Sequence, residues 1–276
     1  MIDIEGYGRH LLDEEMAPNT VKKYLYVVQQ YAKRYDEITK SNLIAYKQEQ
    51  LAKYKPSTVN LHISALLAYC RFAKIPMTLK TIKLPKRTSI ENVITSEQLD
   101  TLLRGLVRDN DRCWYVNILL LSKTGMRISE AMRVTKRDIL AGRAEMQTKG
   151  HMRTIYFPKS LVSEIIEDIA PLAPGDPVMR CCHGRRSPKN AHTVPVSSSR
   201  AVRNGMRRIA IRYGIPESVM HPHSFRHFFA IEFLKRKPDI ALLADLLGHS
   251  SVNMTQIYLR QSQEQQQDAV DEIVDW

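Results

Sequence analysis

A chain of 276 residues, 43% hydrophobic and 25% charged, has the composition of an ordinary globular protein with room for one large or two modest cores. Its net charge of +12 points to a polyanionic partner, and no apolar run approaches the ~18 residues a membrane span requires. The opening Met1-Ile2-Asp3-Ile4-Glu5 lacks the basic-then-apolar layout of a secretory signal. The cysteines, Cys70, Cys113, Cys181 and Cys182, form no CxxC pair, so a reducing cytoplasmic setting is expected.

Residues 1–75 read as short helices. After an amphipathic 2–16 stretch, apolar residues at 21, 24, 25, 28, 31 and 32 follow the helical period behind a Pro18-Asn19-Thr20 start signal. Ser41 and Pro56-Ser57-Thr58 open two more such units, making about four helices. Residues 76–93 lose the period, and Pro76, Pro85 and four basic residues mark a linker. Residues 1–85 carry 13 Lys+Arg against 8 Asp+Glu, and the remainder 28 against 21. Both parts are basic, as two lobes gripping one polyanion would be.

Beyond the linker, Thr95-Ser96-Glu97-Gln98-Leu99 opens a capped helix, and residues 112–122 read as a buried one. Ile139 to Arg143 suggests a turn and Thr154 to Phe157 a strand, so a small antiparallel sheet is expected over 138–157, with helices resuming near 159. Residues 170–213 hold nine Lys+Arg and one acid, Asp176. Arg200, Arg203, Arg207 and Arg208 recur at helical spacing. A solvated face is the bland account of them; a row of phosphate contacts is favoured by the net charge. Residues 264–276 reverse sign, with five acids, no bases and an amphipathic spacing, so this tail should dock on protein rather than DNA.

Several residues could carry chemistry. Arg127 lies in Thr124-Gly125-Met126-Arg127-Ile128-Ser129-Glu130, Lys149 precedes Gly150, His223 and Arg226 lie in His221-Pro222-His223-Ser224-Phe225-Arg226-His227, and His249 and Tyr258 follow. Singly each is unremarkable: an isolated tyrosine on a helix is ordinarily core or surface. His223 and His227, four apart, could ligate a metal, but no HExxH and no third ligand accompany them, and Cys181-Cys182-His183 has the wrong spacing for a zinc site. Together the residues suit attack on a phosphodiester by tyrosine. Two arginines can clamp the non-bridging oxygens as charge builds, a Lys or His can protonate the leaving oxygen, and the phenol, with a pKa near ~10, must lose its proton. No cofactor, metal or nucleotide is expected.

In order and spacing this set resembles the tyrosine recombinase (phage integrase) family, of the short two-domain, Xer-like or simple-integrase type. The family's TGxRxSE block is matched at 124–130, its hairpin lysine at Lys149, its HxxR block at 223–226, its LGHxs block at 247–250, and its nucleophile at Tyr258, nine residues after His249. Ala131-Met132 departs from the usual leucine, and residues 180–196 are hard to align. The resemblance implies a mainly α fold with a small antiparallel sheet: a four-helix core-binding domain over 1–85, a linker over 86–93, and a mostly helical catalytic domain over 94–276 with a docking tail at 264–276. It implies a clamp around double-stranded DNA, four protomers on two recombination sites, a 3′-phosphotyrosine and a Holliday junction. By the same resemblance Tyr258 is the nucleophile, Arg127 and Arg226 stabilise the phosphorane-like state, Lys149 is the general acid, His223 assists proton transfer, His249 bonds the phosphate and Glu130 braces the site. The rivals are a type IB topoisomerase and a DNA-binding regulator on an inactive recombinase scaffold.

Overall fold

The computed structural model describes residues 2–84, 90–148, 151–182, 193–249, 251–259 and 271. Lys149 and, apart from Asp271, the tail at 264–276 lie outside these residues. The chain divides into two compact units, Met1–Lys86 and Arg87–Trp276.

The first unit is helical: α1 (Ile4–Asp13), α2 (Pro18–Ala32), α3 (Lys40–Leu51) and α4 (Pro56–Phe72). Local chemistry fixes each start. The Asp3 carboxylate accepts the Gly6 N–H at 2.8 Å, the Thr39 hydroxyl accepts from Asn42 at 3.1 Å, and proline occupies the first turn of α2 and of α4, where its missing N–H costs nothing. Val21, Val27, Val28 and Tyr31 of α2 meet Tyr7, Tyr46, Leu66 and Tyr69 in one core. The core is rich in tyrosine, whose hydroxyls need partners. Tyr69 supplies one such bond by accepting the Asp3 N–H at 2.9 Å, which ties α4 to the start of α1.

The second unit is built around α6 (Arg112–Thr124), which follows α5 (Ser96–Arg108). A reciprocal Thr95–Gln98 capping box starts α5. Residues 114–122 of α6 are buried on all sides, a pattern that marks a central helix. Two short helices follow, α7 (Ile128–Ala131) and α8 (Lys136–Leu140), then the antiparallel hairpin β1 (Arg143–Thr148) and β2 (His151–Tyr156). The stretch read as a turn at 139–143 is therefore the end of a helix followed by a turn at Ala141-Gly142. After α9 (Lys159–Ile169) comes a second small antiparallel pair, β3 (Arg180–Cys182) with β4 (Thr193–Pro195), which the sequence reading did not anticipate. It docks on α6 through the buried Asn117, whose amide donates to the Arg180 carbonyl at 2.7 Å and accepts its N–H at 3.3 Å. Helices α10 (Ser199–Tyr213), α11 (Pro222–Arg236) and α12 (Ile240–Leu247) complete the unit, with a 3-10 turn at Gln256–Leu259 packed on α11. No helix among the described residues is long and apolar enough to cross a membrane.

Candidate active site

The site forms where α6, α11, α12 and the hairpin converge. Helix α6 ends at Gly125 in the left-handed conformation (φ 59°), which turns the chain toward Arg127. Arg127 then caps α7. Its backbone N–H donates to Oε2 of Glu130 at 2.6 Å and its Nη1 to Oε1 at 3.0 Å. Glu130 is fully buried, and its Oε2 also takes Nη1 of Arg153 at 2.8 Å. On β2 the core-facing positions are 153 and 155, so Arg153 occupies a place where an apolar side chain would be expected, and Glu130 makes its charge tolerable there.

The far side of the site is the C-terminus of α12. The last carbonyls of a helix have no donor within it and carry the negative end of its dipole. Here three successive carbonyls are each covered by a different arginine. Leu246 accepts from Arg153 Nη2 at 2.5 Å, Leu247 from Arg226 Nη2 at 2.7 Å, and Gly248 from Arg127 Nη2 at 2.9 Å. Arg226 also donates through Nη1 to the Gly125 carbonyl at 2.9 Å, joining the ends of α6 and α12. Burial and the neighbouring Arg127 and Arg153 pull the Arg226 guanidinium down to about 10, still charged at neutral pH. Arg127 keeps 32% of its side chain exposed, against 3% for Arg153, and so offers its remaining donors to a ligand.

The imidazoles face this cationic cluster. His249 follows α12, and its Nδ1 shares a 2.7 Å hydrogen bond with the buried Thr255 hydroxyl. Burial, then Arg226, Arg127 and Arg153, hold it down to about 4, so it is neutral at physiological pH. His223 is held below its ordinary value by burial, Arg226, His221 and Arg127. Tyr258, on the Gln256–Leu259 turn, packs against the cluster of Ala230, Leu234, Leu243 and Leu247. Burial raises its phenol above the usual value, and Arg226 opposes that rise. Its Oη shares a 2.8 Å hydrogen bond with Nδ1 of His227.

Of the residues singled out from sequence, the fold gathers Arg127, Glu130, His223, Arg226, His249 and Tyr258. Arg200, Arg203, Arg207 and Arg208 stand exposed on α10 and, among the described residues, make no bond to this cluster; Arg207 pairs with Glu217 at 2.6 Å. Sequence reasoning weighed His227 only as a metal ligand and set that aside, and it assigned no part to Arg153 or Thr255. A signal existed for Arg153, a charge at an inward position of a strand, and for His227, one helical turn after His223 and adjacent to Arg226.

Residues 92–265 match the model of the phage integrase family, and residues 4–75 that of the phage integrase N-terminal SAM-like domain. The chain is 27% identical to the tyrosine recombinase XerA of Pyrococcus furiosus, over 97% of this chain and 92% of that protein. It is 23% identical to the TnP I resolvase of Bacillus thuringiensis, over 93% and 94%. Its fold is shared with the Tn1549 transposon integrase solved with transposon right-end DNA (TM-score 0.69, 15% identity, 99% of both chains). The lambda integrase dimer bound to a COC′ core site is similar too (TM-score 0.69, 18% identity, 99% of this chain and 77% of that one).

Proposed function

The chain belongs to the phage integrase family of tyrosine recombinases, and from that premise we propose that it cuts and rejoins DNA at a specific site through a 3′-phosphotyrosine on Tyr258. The observation that carries this reading is the Tyr258 phenol within electrostatic reach of Arg226, one of three arginines already held in position by Glu130 and by the end of α12. A phosphodiester under attack gains charge on its non-bridging oxygens. Guanidinium groups fixed beforehand stabilise that charge without reorganising during the reaction.

In this reading the scissile phosphate sits against Arg127 and Arg226. His249, with Nδ1 engaged by Thr255, donates to the phosphate through Nε2. His223 lies beside both arginines and assists the proton transfers. Lys149 protonates the leaving 5′-oxygen, an assignment that rests on the family resemblance alone. Exchange between two duplexes requires four strands to be cut, and each chain brings one nucleophile. That count suits the tetramer on two sites, with a Holliday junction midway, that the family resemblance implies.

A nicked suicide substrate tests the reading. The full chain should accumulate a covalent protein–DNA adduct that Tyr258→Phe cannot form while still binding the site. Relaxation of supercoiled DNA without exchange of partners would indicate a type IB topoisomerase instead, and binding without any adduct an inactive scaffold.

A further inference from the structure

The phenol must lose a proton as it attacks, and the side chains around it differ in their capacity to accept one. Both Glu130 oxygens are taken by Arg127 and Arg153. The arginines hold their own protons. His249 has Nδ1 tied to Thr255, and among the described residues no hydrogen bond joins His223 to the phenol. His227 is placed differently: its Nδ1 stands 2.8 Å from the Tyr258 oxygen, with ring centroids 5.5 Å apart.

The geometry points to His227 as the group that receives the Tyr258 proton during strand cleavage and returns it during rejoining. This rests on Tyr258 being the nucleophile. His227 begins neutral, with its proton on Nε2 and Nδ1 accepting from the phenol. As the Tyr258 O–H bond breaks and Oη–P forms, that proton passes to Nδ1, giving an imidazolium. The P–O5′ bond breaks, and O5′ takes a separate proton from the general acid. Rejoining reverses each transfer. The general acid first recovers its proton from the 5′-hydroxyl, and the tyrosinate recovers its own from His227.

The surroundings make the transfer depend on substrate. On α11, His223 lies 6.4 Å from His227 between ring centroids, and Arg226 is its chain neighbour. From the end of α12, His249 interacts with His227, and Arg127 and Arg153 act on the same pocket. On α6, also packed on α11, Lys123 is engaged by Glu164 at 3.4 Å. The pocket is therefore net positive, and an additional imidazolium is unfavourable until a phosphate brings negative charge. Burial also raises the phenol above its usual value, which keeps it protonated at neutral pH. The nucleophile is released when DNA occupies the arginines, and hardly at all before.

The test is the pH dependence of adduct formation by the full chain in single turnover on a nicked suicide substrate, from about pH 6 to 9.5. General-base help of this kind is worth on the order of 10²–10⁴-fold. Wild type should rise and then level off. His227→Asn places an amide oxygen where Nδ1 stood and so preserves the hydrogen bond but cannot take the proton. It should lose at least about 100-fold near pH 7 and climb about tenfold per pH unit, because the phenolate must then form from solvent. His227→Ala should recover with added imidazole. A wild-type rate that itself climbs tenfold per unit throughout overturns the proposal, as does wild-type behaviour of the Asn variant, or an Ala variant that neither changes slope nor responds to imidazole. If the Asn variant fails to bind the nicked site, the wild-type profile and the imidazole response decide. An adduct formed by Tyr258→Phe would instead remove the nucleophile assignment itself.

Discussion

Arg153 reaches the wholly buried carboxylate of Glu130 at 2.8 Å, on the same oxygen that takes the Arg127 N–H. One carboxylate thus holds one arginine that is partly exposed and another that is buried. Removing a single partner from a buried pair leaves a charge without compensation, at a cost of about 3–5 kcal/mol. Glu130→Ala should lower unfolding stability by about that amount and release Arg127 as well, so adduct formation should fall together with stability. Denaturant titration of the full chain measures the first effect, and a loss under about 1 kcal/mol would mean that Arg153 finds another partner.

Gly248 makes a matched experiment possible. Its φ is 62°, and a Cβ there would stand 2.5 Å from Cδ of Arg153. Gly142 has φ 71° with nothing within 4 Å of its Cβ position. Alanine at 142 should cost only the left-handed backbone term, about 1–2 kcal/mol. Alanine at 248 should cost that and also push Arg153 off Glu130 and the Leu246 carbonyl. The 248 variant should therefore be the less stable of the two and lose cleavage where Gly142→Ala retains it. Equal behaviour of the two would show that Arg153 adjusts freely.

Much of this architecture was legible because local rules and global packing agree. Pro18, Pro56 and the Thr95–Gln98 box announce helices that form where expected, and the apolar Trp114, Tyr115, Ile118, Leu119 and Leu121 announce a central helix. The β3–β4 pair was not legible. Each strand has three residues, too few for a period, and what holds β3 to the core is the Asn117 side chain contacting its backbone. Within the site, the motifs pointed to Arg127, Arg226, His249 and Tyr258. They could not point to the carbonyls of 246–248, which carry no side-chain signature, nor to the His227–Tyr258 bond, which joins residues 31 apart through the fold.

The neutral His249 has a consequence for stability. Its folded value of about 4 lies below the ordinary ~6.5 that the unfolded chain would show. As pH falls below ~6.5, the unfolded chain takes up the proton first, and stability declines until the folded value is passed near 4. Burial likewise holds His62, His221 and His223 low, so they add to the trend. The thermal midpoint of the DNA-free chain should therefore drop between pH 6.5 and 4, and His249→Gln should flatten part of that drop. An identical profile for the variant would contradict the assigned neutrality.

The exposed arginines of α10 separate binding from chemistry. Arg200, Arg203 and Arg207 lie at three- and four-residue spacing on one face of that helix, and Gly205 and Met206 turn the opposite side into the core. Arg207 is partnered by Glu217, whereas Arg200 and Arg203 present their charge to solvent. A side chain that neutralises one phosphate releases about 0.9 of a counterion from duplex DNA. The double variant Arg200→Ala, Arg203→Ala should lower the slope of log affinity against log salt by up to about 1.8, and should do so alike for specific and unrelated DNA. Alanine suits a helix interior, so stability should hold. The adduct rate at saturating DNA should hold as well, because among the described residues neither makes a bond to the site. A fluorescence-anisotropy salt series on a half-site duplex gives the slope. An unchanged slope would mean that this face is merely solvated, and a lowered rate at saturation would place these arginines in the chemistry rather than the grip.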